Sequence, residues 1–277
     1  MGNKCLVTGH EGYIGSHLYK RLKSLGNETM GVDIKSGSDI LNSKTLLEIQ
    51  DFRPEYIFHL AALPRVEYSV ENPTLTLRTN VLGTSNMLKV AKLCKTRRLI
   101  FSSSSAILGD GDGPTNPYGL HKKMSELECA LWAELYGIES VCLRYYNVYS
   151  EDQPSDGSYS TVIAAWMHKI RENQPLFING DGEHKRDFIH VEDIVSANIH
   201  AMNSQECFNG DFYDVGTCEN FSLNYIREFI TSKSPEIEFL RNPPRTGDAL
   251  ETLSLGKNMP GWSPEISFRD GLERCFE

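Results

Sequence analysis

Residues 4–18 read KCLVTGHEGYIGSHL, and their order decides the fold. A short apolar run ends at Thr8, three glycines follow at Gly9, Gly12 and Gly15, and a helical pattern begins inside the glycines. Residues 13–25 place apolar side chains at Ile14, Leu18, Leu22 and Leu25, the spacing of one helix face. A strand that runs through glycines into a helix lets a pyrophosphate approach the N–H groups of the helix N-terminus. The spacing is GxxGxxG, not the GxGxxG of the common dinucleotide fingerprint, but it meets the same physical need. A glycine trio alone equally suits a plain strand–helix turn, so the flanking sequence has to carry the distinction.

The next apolar run, ETMGVDI, predicts a second strand ending at Asp33. An acid about 20 residues past the glycines is placed to accept hydrogen bonds from an adenosine ribose. It also repels a 2′-phosphate, which favours NAD over NADP. Lys35 leaves two readings open, a partner for such a phosphate or a solvated loop charge. Asp39 and Ile40 either touch the adenine or form an ordinary loop before a helix. Further strands are predicted at EYIFHLAA, RRLIFSSSS and SVCLRYYNV. Helices are predicted between them at residues 43–51, 74–95 and 118–136. Pro73 sits where a first turn tolerates it. Met124, Leu127, Leu131 and Leu135 share one side of the third helix, and Gly137 stops it. This βαβα order implies an α/β fold of Rossmann type, a doubly wound parallel sheet covered by helices on both faces.

The rhythm changes after Asn147. A polar, turn-rich loop is followed by a helix (161–172), a short strand (176–178), a strand running into a helix (188–203), another strand (212–215) and a helix (223–232). The expected division is a cofactor domain over residues 1–146 with a returning segment near 188–215. Residues 147–277 then form mainly a smaller C-terminal α/β lobe for the substrate.

Tyr118 and Lys122 fall four apart at the start of a helix, on one face, and the serines Ser102–Ser105 end the preceding strand. Ligands bind at strand C-termini in such sheets. A phenol with an ordinary pKa near 10 is a poor base at neutral pH. A nearby ammonium and a positive nicotinamide favour its phenolate, and a serine hydroxyl can hold the substrate oxygen.

The chain of 277 residues carries a net charge of −9, which argues against nucleic-acid wrapping. No apolar run approaches the roughly 18 residues of a membrane span. The opening apolar stretch is too short and too soon broken by glycine for a signal peptide, so a cytoplasmic location is expected. The seven cysteines show no CxxC pairing and read as reduced thiols. The eight histidines show no ligand spacing, and no metal site is expected.

Taken in order, TGHEGYIGSHL, VDI, FHLAA, VEYSVENPTLTLRTNVLGT, FSSSSAILGD, NPYGLHK, LRYYNVY, INGDGEHKRDFIHVEDIV, YDVGT, PPRTGD and GWSP resemble the extended short-chain dehydrogenase/reductase family. The resemblance is to its nucleotide-sugar epimerase/dehydratase group, typified by UDP-glucose 4-epimerase, and it covers essentially the whole chain. It implies Ser104, Tyr118 and Lys122 as the catalytic set. It implies cofactor contacts from Gly9, Gly12, Tyr13, Ile14, Gly15, Asp33, Lys35, Asp39 and Ile40. Leu60, Ala61, Ala62, Asn80, Ser102, Tyr118, Lys122 and Tyr145 complete that set. For the substrate diphosphate it implies Asn147, Arg186 and Arg245, with Ser104 at the sugar and Asp248 beside the second arginine. Two arginines in Gly/Pro-flanked loops also suit a bidentate phosphate clamp on their own chemistry, or surface pairing to Asp187 and Asp248.

The sequence departs from the family in three places. Leu108 stands where the family often has tyrosine, the segment 110–117 is short, and the C-terminal lobe is compact. The acid pair that dehydratases place after the catalytic residue is replaced by Ser105 and Ala106, and the glutamate of the decarboxylases is missing. The implied activity is therefore an NAD-dependent 4-epimerase acting on a nucleotide-diphosphate sugar, with a keto-sugar reductase or a non-catalytic NAD sensor as alternatives. The long helices resemble those that pair in family homodimers.

Overall fold

A computed structural model describes residues 2–109, 111–155, 161–243 and 251–277. The first half alternates strands and helices: β1 (Lys4–Thr8), α1 (Tyr13–Ser24), β2 (Glu28–Val32), α2 (Ser43–Phe52) and β3 (Tyr56–His59). Then come α3 (Val66–Glu71), α4 (Pro73–Leu77), α5 (Gly83–Cys94), β4 (Arg98–Ser104), α6 (Pro117–Tyr136) and β5 (Ser140–Tyr145). Beyond them lie β6 (Asn147–Tyr149), α7 (Val162–Arg171), β7 (Leu176–Asn179), β8 (Lys185–Arg186), β9 (Phe188–His190) and α8 (Val191–Asn203). The chain continues through β10 (Asn209–Val215), β11 (Phe221–Ser222), α9 (Leu223–Lys233), β12 (Phe239–Asn242) and α10 (Phe268–Phe276).

Six strands form one sheet in the order β10-β5-β4-β3-β1-β2, every neighbouring pair parallel. This is the doubly wound α/β architecture expected from the sequence. β3 and β5 are buried along their whole length, as strands covered on both faces must be. The chain leaves β1 in one direction to β2 and in the other to β3, and a crevice opens at that reversal of strand order. β10 returns from the later half to pair with β5, and α8 packs on α1.

α6 has local reasons for both ends. The Asn116 side chain accepts the Gly119 N–H at 2.9 Å, Pro117 occupies the first turn, and Gly137 terminates the helix at φ 66. The helix predicted over 74–95 is interrupted: residues Arg78–Leu82 form a π-turn between α4 and α5. That wider turn contains Asn80, whose side chain bonds both the N–H and the C=O of Leu63 at 2.8 and 3.1 Å. Periodicity alone does not distinguish a one-residue insertion of this kind.

The later residues build three two-stranded pieces, β6 with β9, β7 with β12 and β8 with β11. They share an apolar core in which Phe188 stacks on Phe268 at 4.8 Å and Trp166, Ile226 and Leu272 are buried. β12 and α10 lie outside the elements predicted from the sequence. β12 is exposed over most of its length and α10 carries several charges, so neither announces itself by a long apolar run.

Candidate active site

The glycine turn is built by contact. Gly9 sits at φ 74 with its N–H on the Val32 carbonyl at 2.7 Å, and the Gly12 N–H bonds the Gly9 carbonyl at 3.0 Å. A Cβ on Gly15 would stand 2.0 Å from the Gly9 oxygen. Only hydrogen at Gly15 lets α1 start this close to the turn, with its first N–H groups facing the crevice.

That crevice holds a cavity of ≈ 530 Å³, within the range of small-molecule sites. Gly9, Gly12, Tyr13, Ile14, Gly15, Asp33, Lys35, Asp39, Ile40, Leu60, Ala61 and Ala62 line one part of it. Ser102, Ser103, Tyr118, Lys122 and Tyr145 line the other. Asn80 stands behind the wall, bracing Leu63. The Asp33 carboxylate accepts the Glu11 N–H at 3.1 Å and the Lys35 N–H at 2.9 Å. The Lys35 ammonium donates to the Glu11 carbonyl at 3.1 Å, so it closes over the glycine loop while Asp33 faces the cavity. A crowded glycine cradle, helix N–H groups and a fixed carboxylate past the second strand together fit an adenine dinucleotide.

At the other part, the Lys122 ammonium donates to the Ser102 carbonyl at 2.6 Å and lies 5.9 Å from the Tyr118 ring centroid. Burial pushes Lys122 down to about 8, and the Glu126 carboxylate opposes that fall. The Tyr118 N–H is anchored on Ser69 Oγ at 3.1 Å. Ser102 Oγ and the Tyr145 hydroxyl share a hydrogen bond of 3.0 Å, and Asn198 donates to the same hydroxyl at 2.7 Å. Burial pushes Tyr145 up to about 12, which keeps it a neutral phenol beside the site. Ser104 Oγ accepts the Ala106 N–H at 3.2 Å and caps the short 3₁₀ turn Ser105–Ile107.

Asn147, two residues past Tyr145, lines a second cavity of ≈ 520 Å³ together with Arg186, Lys169 and His184. No carboxylate lines it among the described residues. Asn147 is held by its side-chain N–H groups on the Asp187 carbonyl at 2.9 Å and Thr252 Oγ1 at 3.1 Å. The fully buried Asp187 carboxylate is occupied by Thr217, Cys218 and Ser254. Arg245 and Asp248 lie outside the described residues. No group of three or more metal-binding side chains occurs among the described residues.

The sequence profile of the NAD dependent epimerase/dehydratase family matches residues 5–216. The chain belongs to that family. This membership bears out the NAD-dependent nucleotide-sugar epimerase family expected from the motifs, and NAD as its cofactor. A putative UDP-glucose 4-epimerase of Methanocaldococcus jannaschii is 34% identical, the alignment covering 97% of this chain and 96% of that one. The crystal structure of Thermotoga maritima UDP-glucose 4-epimerase with UDP-glucose superposes with a TM-score of 0.88 at 29% identity, covering 99% and 97% of the two chains. Bacillus cereus UDP-glucuronic acid 4-epimerase, solved with UDP-glucuronic acid and NAD, gives 0.87 at 27% identity, covering 99% and 98%.

Sequence reasoning passed over Glu126, Arg144 and Asn198, all buried around the epimerase-family site. Glu126 had a legible signal, since it continues the Tyr118–Lys122 spacing by four. The others depend on which strand lies beside which. His59, also overlooked, bonds Thr8 and Thr84 at 2.7 and 3.1 Å, and burial pushes it down to about 3. A histidine kept neutral when folded takes up a proton on unfolding below its ordinary value of 6.5. Stability is therefore expected to decline as pH falls from 6.5 toward about 3. Urea midpoints measured between about pH 7 and pH 5 should show the decline, and His59→Gln should flatten it. An unchanged slope in the variant rejects this assignment.

Proposed function

We propose that the chain inverts the C4 configuration of a UDP-bound hexose through a transient 4-keto sugar. The supporting observation is the arrangement at the end of β4. Tyr118, Lys122, Ser102 and Ser103 line one cavity, and a second cavity beginning at Asn147 is lined by cations and, among the described residues, by no carboxylate. Tyr118 takes the proton from the C4 hydroxyl as the sugar is oxidised and returns it to the same oxygen when the ketone is reduced on its other face. The Lys122 ammonium, fixed on the Ser102 carbonyl, lowers the cost of the phenolate. Ser104 bonds the same sugar oxygen and shares its proton. When bound, NAD would serve as hydride acceptor and then as hydride donor. Asn147, Arg186 and Arg245 hold the diphosphate while the sugar ring turns, so binding energy retains the keto sugar, and Asp248 contacts the substrate away from the phosphates. Ser105 and Ala106 provide no acid and base for loss of water. UDP as the nucleotide rests on the relatives.

The test is to incubate purified protein with UDP-glucose, UDP-galactose, UDP-glucuronate and UDP-N-acetylglucosamine and to read C4 by proton NMR. Inversion without net NAD consumption supports the proposal, and steady cofactor consumption rejects it in favour of a reductase.

A cytoplasmic homodimer is part of the same proposal. Among the described residues no helix is long and apolar enough to cross a membrane, and all seven cysteines are free thiols, in keeping with a reducing compartment. The stripe on α6 points outward: Leu120, Leu127, Leu131 and Leu135 are 48%, 59%, 50% and 59% exposed. Leu82, just before α5, and Leu93, within it, are exposed as well. An apolar face of this extent marks an interaction surface, and a helix face suits a second copy of itself across a two-fold axis. Sedimentation at micromolar concentration should give a dimer, and Leu127→Lys with Leu131→Lys should give a monomer. A monomeric parent chain would refute the dimer.

A further inference from the structure

α6 carries a third polar side chain in line with Tyr118 and Lys122. Glu126 lies one turn past Lys122, with its side chain 5% exposed, and the proposed chemistry does not use it. Oε1 accepts the Ser103 hydroxyl at 2.7 Å and the Arg144 Nε–H at 2.8 Å, and Oε2 accepts the Arg144 Nη2–H at 2.7 Å. Ser103 stands between Ser102, whose carbonyl receives the Lys122 ammonium, and Ser104. The end of β4 is therefore tied to α6 at two successive residues, and Arg144 ties the same carboxylate to β5. Burying an ion pair carries a large desolvation cost for each ion. Apolar side chains of similar volume stabilise such a place at least as well, so a stabilising role alone does not account for it.

We propose that Glu126 is a positioning residue for the epimerase reaction: it sets the β4 end against α6 so that Ser104 and Lys122 meet Tyr118, and it places a fixed carboxylate one helical turn from Lys122. The inference rests on the catalytic assignment of Tyr118 and Lys122 above. The groups facing Lys122 are few. Its own helix presents Tyr118, Glu126 and Cys129, β5 presents Cys142, and β3 presents His59. β4 contributes the Phe101 ring at 4.7 Å and the Ser102 carbonyl, neither of which titrates. Burial keeps His59 neutral, and the Cys142 thiol is pushed up by its hydrogen bond with Cys129 and by burial. Glu126 is thus the carboxylate that acts on Lys122.

Two variants separate the effects. In NAD-loaded protein, the Lys122 titration is followed by carbon NMR of labelled lysines and assigned with Lys122→Arg. Glu126→Gln should move its midpoint to lower pH and shift the alkaline limb of the kcat profile the same way. Ser103→Ala keeps the ion pair. It should leave the Lys122 midpoint in place and lower kcat between about tenfold and a hundredfold, the scale of small misplacements, with KM within about twofold. An unmoved midpoint in Glu126→Gln, or a kcat within about twofold of the parent in Ser103→Ala, overturns the proposal. If Glu126→Gln does not fold, the Ser103→Ala kcat decides alone. A parent chain that turns over no UDP-sugar sinks the functional assignment instead. The Lys122 midpoint, read without turnover, then decides whether Glu126 acts on it.

Discussion

Tyr118→Phe is expected to lower kcat by about a thousandfold, in the middle of the range for a positioned acid–base group. That factor corresponds to about 4 kcal/mol of barrier. The variant removes one oxygen and keeps the ring, so the packing around α6 is preserved. The backbone N–H of residue 118 still bonds Ser69, and Lys122 still bonds the Ser102 carbonyl. NAD affinity, measured by calorimetry, and KM for the sugar nucleotide should therefore stay within a few-fold of the parent. A variant retaining more than about a tenth of the parent kcat would show that another group takes the proton. The outcome also separates an enzyme from a sensor on the same fold, because fold alone does not assign function.

The second large effect is expected at Gly15. Two terms compete in Gly15→Ala. Alanine in a helix gains about 1 kcal/mol over glycine, and Gly15 does not adopt the left-handed backbone region. Against this, the new Cβ would stand 2.0 Å from the Gly9 oxygen and 2.8 Å from its carbonyl carbon. Those are backbone atoms of a turn whose Gly9 N–H and C=O are both in use. They yield only if the turn opens, and overpacking of that kind costs about 1–3 kcal/mol. The clash outweighs the propensity. Opening the turn also pulls the helix N-terminus away from the pyrophosphate, so NAD affinity should fall by about a hundredfold, which is about 2.7 kcal/mol. Calorimetric titration with NAD and a urea melt read the two parts separately. Near-parent NAD affinity in this variant would remove the glycine turn from the cofactor site.

Both variants fall at positions that the sequence alone singles out. Gly9, Gly12 and Gly15 are legible because the constraint is local. Turn, helix start and carboxylate lie within 25 residues of one another, and their chemistry depends on spacing along one chain. Tyr118 and Lys122 are legible for the same reason, being one helical turn apart. The strands of the main sheet are short apolar runs bounded by turn residues, so the α/β class and the parallel order follow from alternation. Glu126 could have been found from its spacing, but spacing does not say that Arg144 and Ser103 meet it. Those contacts join β4, β5 and α6, and only their parallel register brings them together.

Local pattern, then, was enough to read the fold class, the glycine turn and the Tyr–Lys spacing, because each depends on residues a few positions apart. The tertiary structure decided what lies far apart in sequence. It turned the α6 leucines outward, inserted the π-turn that carries Asn80, placed Ser102 and Ser103 in the cavity wall, and buried Glu126 against Arg144. Sequence periodicity reports that a helix has an apolar face, but only the packing of neighbouring elements determines whether that face meets the core, solvent or a second chain.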